Sequence, residues 1–456
     1  MKFDVLNPYS ESIEATFTIN NQQLVEAALT NANRYFETAK RGSFEQRAQQ
    51  LHAIATAFRT NAKLLAKTAT QNMGKLLQES LQEANAAANI ADYYANNGPA
   101  ALVSKDYQYL GTKRAKLTYE ATGIVLAIEP WNFPYTQVMR VFAPNFLLGN
   151  PVLLKHAKIV AGCATVFEQT VWQAGIEHGA FQNLFVTNEQ VADIIKDQRV
   201  QGVALTGSTK AGKVVASEAA QAITKTTLEL GGNDAFLVLP GADIKQAAKD
   251  AATSRLRNSG QVCTSAKRMI VHQDVADEFT AALINEFKSR HMGDPMAETT
   301  TLAPLASKSI QTTLQKQVNL AIQHGAKELV HGGIDDSKAG NFFSPVLLTN
   351  IDEANPIFDE ELFGPVGQLH VVESTDAAIK LANRSQYGLA GAVYAGSIEQ
   401  AQMIAKQLET GQVFINQPSN GYPELPFGGV KNSGYGREMS DLALYEFANQ
   451  KMIALG

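Results

Sequence analysis

The N-terminal part of the chain places apolar side chains at the spacing of an amphipathic helix. One such set consists of Leu51, Ile54, Ala55 and Phe58. Apolar residues three and four positions apart share one face of a helix, so the pattern predicts a helix buried along that face. Ser43–Gln46, just before it, has the form of a capping box, which marks a helix start. Gly98-Pro99 is expected to end this helical region.

From Gly123 onward the pattern changes to short apolar segments that alternate with helical ones. The strand candidates are Ile124–Ile128, Val152–Leu154, Leu184–Val186 and Val203–Leu205. Strands that are apolar throughout and are joined by helices indicate a parallel sheet covered on both faces. Such sheets bind ligands at the carboxyl ends of their strands. The fold class is therefore α/β.

A second strand–helix series begins at Ala235–Leu239 and continues with the helix Ile244–Arg257 and the strand Arg268–Val271. We therefore predict a domain boundary near Gly231-Gly232. The moderately apolar segment Tyr445–Gly456 is expected to form a strand that pairs outside its own domain.

Composition narrows the class of protein. A chain of 456 residues is too long for one compact core, so two or three domains are expected. A net charge of -5 with no Lys/Arg block argues against nucleic acid or an anionic membrane as partner. The sequence shows no secretory signal and no apolar run near the ~20 residues of a membrane helix. Its 2 cysteines do not form a disulfide framework and fit a reducing cytoplasm. No Cys/His cluster has zinc spacing, so no metal site is expected.

Cys263 and Glu229 are the first candidates for chemistry. A thiolate attacks an aldehyde carbon readily, but its ordinary pKa of ~8.5 means that it needs help from a base or a cation. Gly260, just before Cys263, would let the backbone approach a ligand closely. Glu229, beside Gly231-Gly232, can be a general base if burial raises its pKa. Taken alone, each segment also fits a structural cysteine or a solvated glutamate.

Three further segments carry groups of the right kind. Asn132, in the Pro-rich turn Pro130–Pro134, has an amide donor suited to an oxyanion. Thr206-Gly207-Ser208 closes a strand and opens the helix Thr209–Ala220, whose free N–H groups suit a pyrophosphate or only an N-cap. In Glu361–Pro365, the carboxylate of Glu361 suits ribose hydroxyls and Phe363 suits packing on a sugar or a nicotinamide; an ordinary loop is the alternative.

Cys163 is expected to be structural, because it lies on an apolar helical stripe. None of the scattered histidines pairs with Cys263, which argues against a Cys–His hydrolase.

Together these segments resemble the aldehyde dehydrogenase superfamily, in order from Asn7-Pro8 to the C-terminus. The markers are Pro130-Trp131-Asn132, Lys155, Thr206-Gly207-Ser208, Glu229–Gly232, Gly260–Cys263, Glu361–Pro365 and Pro426–Lys431, followed by Ser433–Glu438. Each marker alone is a weak signal, but seven in order are specific.

The resemblance implies a Rossmann-like cofactor domain, an α/β catalytic domain and a β-arm for oligomerisation. The cofactor domain would comprise residues 1–103 and 122–230, and the catalytic domain residues 231–417. Residues 104–121 and 445–456 would form the arm, and residues 418–444 would return to the cofactor domain. Relatives use this arm to form homodimers or homotetramers.

The resemblance also implies roles for single residues. Cys263 would be the nucleophile and Glu229 the base, while Asn132 and the Cys263 N–H would hold the oxyanion. The residues implied on the NAD or NADP side are Trp131, Lys155, Lys158, Gly207, Ser208, Glu361 and Phe363. NAD-preferring relatives often carry Glu where this chain has Lys158, so NADP is expected to be accepted, with NAD also possible.

Within the superfamily the chain resembles the short bacterial succinate-semialdehyde dehydrogenases. Arg140 and Phe427 would line the aldehyde tunnel, where Arg140 would pair with the distal carboxylate of a semialdehyde. The alternative is that Arg140 has only a structural role. The subgroup tends to carry Ser-Asp-Pro-Arg where this chain has Gly421–Glu424, which removes a hydroxyl and replaces Arg by an acid. Three alternatives remain open: a broad or neutral-aliphatic aldehyde dehydrogenase, a CoA-acylating one, and a non-catalytic binding protein.

Overall fold

The computed structural model describes every residue from Met1 to Gly456. The helices are α1 (Gln22–Ala39), α2 (Phe44–Thr60), α3 (Ala62–Met73), α4 (Leu77–Ala101), α5 (Thr136–Leu148), α6 (Ala161–Gln173), α7 (Asn188–Ile195), α8 (Thr209–Ala222), α9 (Ile244–Leu256), α10 (Gln273–Lys288), α11 (Lys308–Gln323), α12 (Thr375–Asn383), α13 (Ile398–Ala405) and α14 (Leu442–Glu446). None of them is long and apolar enough to cross a membrane.

The strands alternate with these helices along most of the chain. They are β1 (Lys2–Leu6), β2 (Ile13–Thr18), β3 (Lys105–Tyr109), β4 (Lys113–Ala121), β5 (Ile124–Glu129), β6 (Val152–His156), β7 (Phe181–Asn183), β8 (Val200–Thr206), β9 (Lys225–Glu229), β10 (Ala235–Val238), β11 (Arg268–His272), β12 (Lys327–Val330), β13 (Gly333–Ile334), β14 (Phe343–Ser344), β15 (Val346–Thr349), β16 (Val366–Val372), β17 (Tyr387–Gly388), β18 (Ala390–Tyr394), β19 (Gln412–Ile415), β20 (Val430–Lys431), β21 (Gly434–Tyr435) and β22 (Ala448–Leu455).

The N-terminal helices form as the apolar pattern predicts, with two corrections. Gly98-Pro99 does not end the helical region, because α4 continues to Ala101. A Cβ at Gly98 would lie 1.9 Å from Leu147 Cδ2, so this glycine lets α4 pack closely against α5. The capping box at the start of α2 is only half formed. The Ser43 side chain accepts a hydrogen bond from the backbone N–H of Gln46 at 3.1 Å, without the reciprocal bond.

The first large sheet has six strands in the order β21-β9-β8-β5-β6-β7. All its neighbouring pairs are parallel except β21 with β9. The strand predicted at Leu184–Val186 is wrong, since the ladder there uses Phe181–Asn183 instead. Leu184 and Val186 are buried below the sheet edge as the chain turns toward α7, so their apolar character reflects core packing.

The second large sheet has seven strands in the order β12-β15-β16-β11-β10-β18-β19. Only the pairing of β12 with β15 is antiparallel. The predicted helix beginning at Ile244 ends at Leu256, one residue earlier than expected. With two mainly parallel sheets covered by helices, the α/β fold class is confirmed, whereas the exact domain boundaries stay a prediction.

A third sheet stands apart from the two large ones. It has the order β22-β4-β3, and β22 pairs antiparallel with β4 from Ala448 to Leu455. The C-terminal strand expected from Tyr445 therefore forms, beginning three residues later. Several large apolar side chains of this arm are exposed, namely Tyr107, Leu110, Met452, Ile453 and Leu455.

A buried ion pair joins the N-terminal helices to the loop after β5. Lys75 and Glu83 are almost fully buried and contact each other directly. Glu83 Oε1 also accepts hydrogen bonds from the backbone N–H groups of Tyr135 at 2.8 Å and Thr136 at 3.2 Å. Lys75 Nζ lies 4.0 Å from the centre of the Phe133 ring. Glu83 thus fixes the start of α5, directly after the segment that contains Asn132.

Replacing Glu83 by Gln is expected to destabilise the protein by roughly 3–5 kcal/mol, because it leaves the Lys75 charge buried without its partner. Urea unfolding followed by circular dichroism measures the change. Glu45→Gln, an exposed carboxylate in the first turn of α2, is the matched control and should have little effect. Equal stability of the two variants would contradict this reading of the ion pair.

Candidate active site

The cysteine loop, Asn258–Cys263, connects α9 to the segment before β11. Its backbone is unusual, because Asn258 and Ser259 have φ values of 49° and 52° and Gly260 has 75°. A Cβ at Gly260 would lie 2.2 Å from the Gly364 carbonyl oxygen, so only glycine fits there. Non-glycine residues in this left-handed region cost of order 1–3 kcal/mol each, so the surrounding structure must hold them in place.

Buried polar partners hold the cysteine loop. The Asn258 N–H donates to Glu79 Oε1 at 3.0 Å, and its side-chain amide donates to the Asn132 carbonyl at 3.0 Å. Ser259 Oγ donates to a backbone carbonyl at 2.7 Å, and Gln261 Oε1 accepts a backbone N–H at 2.9 Å. The strained segment is therefore bonded to α4 and to the loop that follows β5.

Cys263 is partly exposed at the wall of a cavity, whereas Cys163 is fully buried in α6. Burial of the sulfur raises the pKa of Cys263 to about 12, although the charges of Lys267 and Arg140 act in the opposite direction. The thiol is therefore protonated at neutral pH, and its activation requires that a proton be removed.

Asn132 is buried beside the cysteine loop. Its Nδ2 donates to the Gln261 carbonyl at 3.0 Å, and its Oδ1 accepts from Gln137 Nε2 at 3.1 Å. These bonds fix which end of the amide is the donor. An amide nitrogen has two N–H groups, so one remains for a ligand.

Glu229 is the last residue of β9 and is buried with no hydrogen-bond partner at either oxygen. Burial, reinforced by the charge of Glu438, raises the pKa of Glu229 well above its ordinary value, while Arg140 and Arg437 oppose this. A Cβ at Gly428 would lie 2.6 Å from Glu229 Oε1, so glycine leaves room for the carboxyl group. A carboxyl group with a raised pKa is a stronger base than a solvated one.

Two further buried carboxyl groups, Glu129 and Glu438, were not singled out from the sequence. Burial raises the pKa of both, and for Glu129 the charge of Glu438 adds to the effect. Arg140 Nη1 lies 3.7 Å from Glu438 Oε2, and its guanidinium lies 4.3 Å from the Phe427 ring centre. The available sequence signal for Glu129 is a charged residue that ends an otherwise apolar strand directly before Pro130.

The cavity at Cys263 has a volume of about 220 Å³. Its wall includes Phe133, Arg140, Arg257, Cys263, Asn420 and Phe427. Arg257 was expected only as the end of a helix, yet it lies in this wall with its guanidinium 5.6 Å from the Phe133 ring centre. A basic residue directly before the Asn258–Cys263 motif is the signal that could have found it. A larger groove, of about 1070 Å³, lies between α1 and α7 but contains neither cysteine.

A second cavity, of about 540 Å³, lies between α7 and α8 at the carboxyl edge of the first sheet. Lys155, at the end of β6, and Ser208, the N-cap of α8, both line it. Burial and the charge of Lys158 lower the pKa of Lys155, and neither lysine forms an ion pair. Two neighbouring cations without an acid partner fit a phosphate group. Gly207 links this edge of the sheet to Glu229, since its N–H donates to the Glu229 carbonyl at 2.9 Å.

The remaining candidates lie between the two cavities. Trp131 and Phe363 pack edge to face with ring centres 5.7 Å apart. Glu361 Oε1 accepts from the Gly232 N–H at 3.1 Å and lies 3.1 Å from the ammonium of Lys267. Because Lys267 also bonds the Cys263 carbonyl, these contacts link the cysteine loop to the turn after β9. We therefore expect the Cys263 cavity and the Lys155 cavity to lie on the two sides of one cleft. The roles assigned to the individual residues stay predictions.

Comparison with known proteins agrees with this arrangement of two sheets, a cleft and a cysteine loop. A match to the Aldehyde dehydrogenase family covers residues 1–453, and the chain belongs to that family. It is 40% identical to the NADP(+) succinate-semialdehyde dehydrogenase of Deinococcus radiodurans, over 99% of this chain and 94% of that one. It is 38% identical to the NAD(P)+ succinate semialdehyde dehydrogenase of Escherichia coli, over 93% and 92%.

A solved structure gives the same result for the fold. Succinic semialdehyde dehydrogenase from Streptococcus pyogenes, in complex with NADP+, superimposes with a TM-score of 0.97 at 43% identity and covers 99% of both chains. The superfamily resemblance drawn from the motifs is therefore confirmed.

Replacing Asn132 by Ala is expected to slow aldehyde oxidation by ~10²–10³-fold, because it removes one oxyanion donor. Gln137→Ala should have a smaller effect, since it only frees the amide that Gln137 orients. Steady-state NADPH formation measures both. An effect of Gln137→Ala as large as that of Asn132→Ala would contradict the donor role.

Proposed function

We propose that this protein oxidises succinate semialdehyde to succinate with NADP, and also with NAD, through a thioacyl intermediate on Cys263. The observation that carries the proposal is the cavity at Cys263, whose wall includes the thiol and two arginines, with the buried amide of Asn132 bonded to the loop that carries the thiol. The names of the most similar relatives point to the same substrate.

The two arginines of the cavity differ in how far neighbouring carboxylates neutralise their positive charge. Arg140 is partly neutralised by Glu438 at 3.7 Å. Arg257 has no carboxylate within ion-pair distance, although the charge of Glu79 in the same cavity wall also acts on it. It makes one 3.3 Å hydrogen bond to the Asn420 side chain. A carboxylate entering the cavity therefore finds Arg257 as its better partner, with Arg140 as a second.

The differences from the subgroup pattern at Gly421–Glu424 fit a carboxylated substrate. A Cβ at Gly421 would lie 2.8 Å from Arg140 Nη2, so glycine leaves space beside this arginine. Glu424 is exposed and is not part of the cavity wall. Its negative charge is screened by solvent and repels a substrate carboxylate only weakly.

In the proposed mechanism the Cys263 thiol releases its proton to solvent, and the resulting thiolate adds to the aldehyde carbon. The oxygen of the resulting hemithioacetal accepts hydrogen bonds from Asn132 Nδ2 and the Cys263 backbone N–H. After oxidation to the thioester, Glu229 takes a proton from a water molecule that attacks the acyl carbon. The acid is released, and the sulfur returns as the leaving group.

The cofactor cavity fits NADP. Ser208 and the start of α8 suit the pyrophosphate, Glu361 suits ribose hydroxyls, and Lys155 with Lys158 suits a 2′-phosphate. Trp131 and Phe363 would border the nicotinamide end. When bound, the nicotinamide supplies the hydride acceptor, and the residues of this chain position it and exclude water.

The three-stranded arm is proposed to join subunits in a homodimer or homotetramer. Its exposed apolar side chains lie on a sheet with free edges, and such surfaces usually mark an interface. The domain division given above is part of the same proposal.

Glu229→Gln is expected to keep a first, rapid burst of NADPH but to lower steady-state turnover by ~10²-fold or more, because only the hydrolytic step loses its base. Stopped-flow absorbance in the near ultraviolet separates the two phases, with Cys263→Ala as the burst-free control. Unchanged turnover would rule out Glu229 as the base. Acyl transfer to CoA but not to water in the unsubstituted protein would favour the CoA-acylating alternative.

Arg257→Met is expected to lower kcat/KM for succinate semialdehyde roughly 10- to 100-fold, and Arg140→Met to lower it less, because a charged hydrogen bond to the carboxylate is lost. Butanal, a neutral aldehyde of the same length, is the matched control substrate and should be oxidised about as before. Equal losses with both substrates, or a preference of the unsubstituted protein for butanal, would favour the neutral-aliphatic alternative. No turnover of either would favour a binding protein.

A further inference from the structure

Lys267 is a fully buried lysine that the mechanism above does not use. It follows the cysteine loop and directly precedes β11. Its Nζ donates to the Cys263 carbonyl at 2.5 Å and to the Val262 carbonyl at 3.0 Å. A third contact, at 3.1 Å, is to Glu361 Oε1. An ammonium group has three donors, so all of them have partners at this site.

The partners of Lys267 belong to two different parts of the cleft. Two are backbone carbonyls of the loop that carries the thiol, and the third is the carboxylate that faces the proposed ribose position. Glu361 is also held by the Gly232 N–H at 3.1 Å. Its carboxylate is therefore bonded both to the ammonium and to the turn that follows β9.

Burial of an ammonium group is energetically unfavourable, so a purely structural role does not explain why a lysine is found here. Removing a lysine charge from water is strongly unfavourable, and a neutral donor would bond the same two carbonyls. A neutral donor would not provide a positive charge that bonds the cysteine loop and Glu361 at the same time. Arg255, also buried, already supports the loop by donating to the Gly260 carbonyl.

We propose that Lys267 is a positioning residue that links the cysteine loop to Glu361. Through this link, a change in the hydrogen bonds of Glu361 in the cofactor cleft alters the electrostatic environment of the Cys263 thiol. The inference rests on the proposed function, in which Cys263 is the nucleophile and Glu361 contacts ribose hydroxyls.

The charges around Cys263 give the direction of the effect. The cations that favour the thiolate are Lys267, Arg140 and Arg257, and the anions that oppose it are Glu361 and Asp234. Among these charges Lys267 contributes most to lowering the pKa of Cys263. Loss of the Lys267 charge should therefore raise the pKa of the thiol, and loss of the Glu361 charge should lower it.

The test is the pH dependence of alkylation of Cys263 by iodoacetamide, without cofactor and with saturating NADP. Modification is mapped by mass spectrometry, which separates Cys263 from the buried Cys163. Lys267→Met should slow alkylation about tenfold or more at a fixed pH below the thiol pKa, since one pKa unit is a tenfold change in thiolate. Glu361→Gln should shift the profile the opposite way, and Lys267→Arg should stay near the unsubstituted protein. Saturating NADP should change the rate at which Cys263 is alkylated in the unsubstituted protein, and this change should be absent in Lys267→Met.

Shifts of Lys267→Met and Glu361→Gln in the same direction, or unchanged profiles, would overturn the inference, because general loosening of the loop has no preferred sign. If Lys267→Met does not fold, Glu361→Gln decides alone: its profile must move to lower pH in the absence of cofactor. No alkylation of Cys263 in the unsubstituted protein would overturn the proposed function and this inference with it. Normal alkylation with unchanged profiles overturns only the inference.

Discussion

The strained backbone of Asn258–Gly260 is the constraint on which the site depends. Three successive left-handed residues turn the chain so that Cys263 faces the cavity instead of continuing from α9. Such a turn persists only where its surroundings determine it. Here Glu79 holds its first N–H, and the side chain of Asn258 bonds the carbonyl of Asn132. The cysteine loop and the loop that contains Asn132 are therefore fixed to each other.

The burial that gives this precision also sets the protonation states. Exclusion of water raises the pKa values of Cys263 and Glu229, so the thiol is protonated at pH 7 before a ligand arrives and Glu229 binds a proton more readily than a solvated carboxylate does. A protonated thiol is protected from premature reaction. The cations at the site, Arg140 and Lys267, lower the pKa of Cys263 and so make the thiolate easier to form.

The sequence predicted most of what depends on local pattern and ordered motifs. The alternation of strands and helices, the α/β class, the C-terminal strand and the family all followed from it. It failed where tertiary packing decided, as at Gly98, where glycine serves a helix contact and not a helix end. It also missed groups that matter only through distant neighbours. The environments of Arg257 and Lys267 depend on residues that are distant in sequence and that the fold brings next to them.

Arg140, which the sequence did single out, acts on two parts of the site. Its charge lowers the pKa of Glu229 and of Glu438, while its guanidinium also lines the aldehyde cavity. A substrate carboxylate that pairs with Arg140 offsets part of this positive charge. The pKa of Glu229 then rises further, and a stronger base results when a carboxylated substrate is bound. A neutral aldehyde leaves Arg140 unchanged, so in the proposed mechanism selectivity for the carboxylate and the base strength of Glu229 would both depend on this guanidinium.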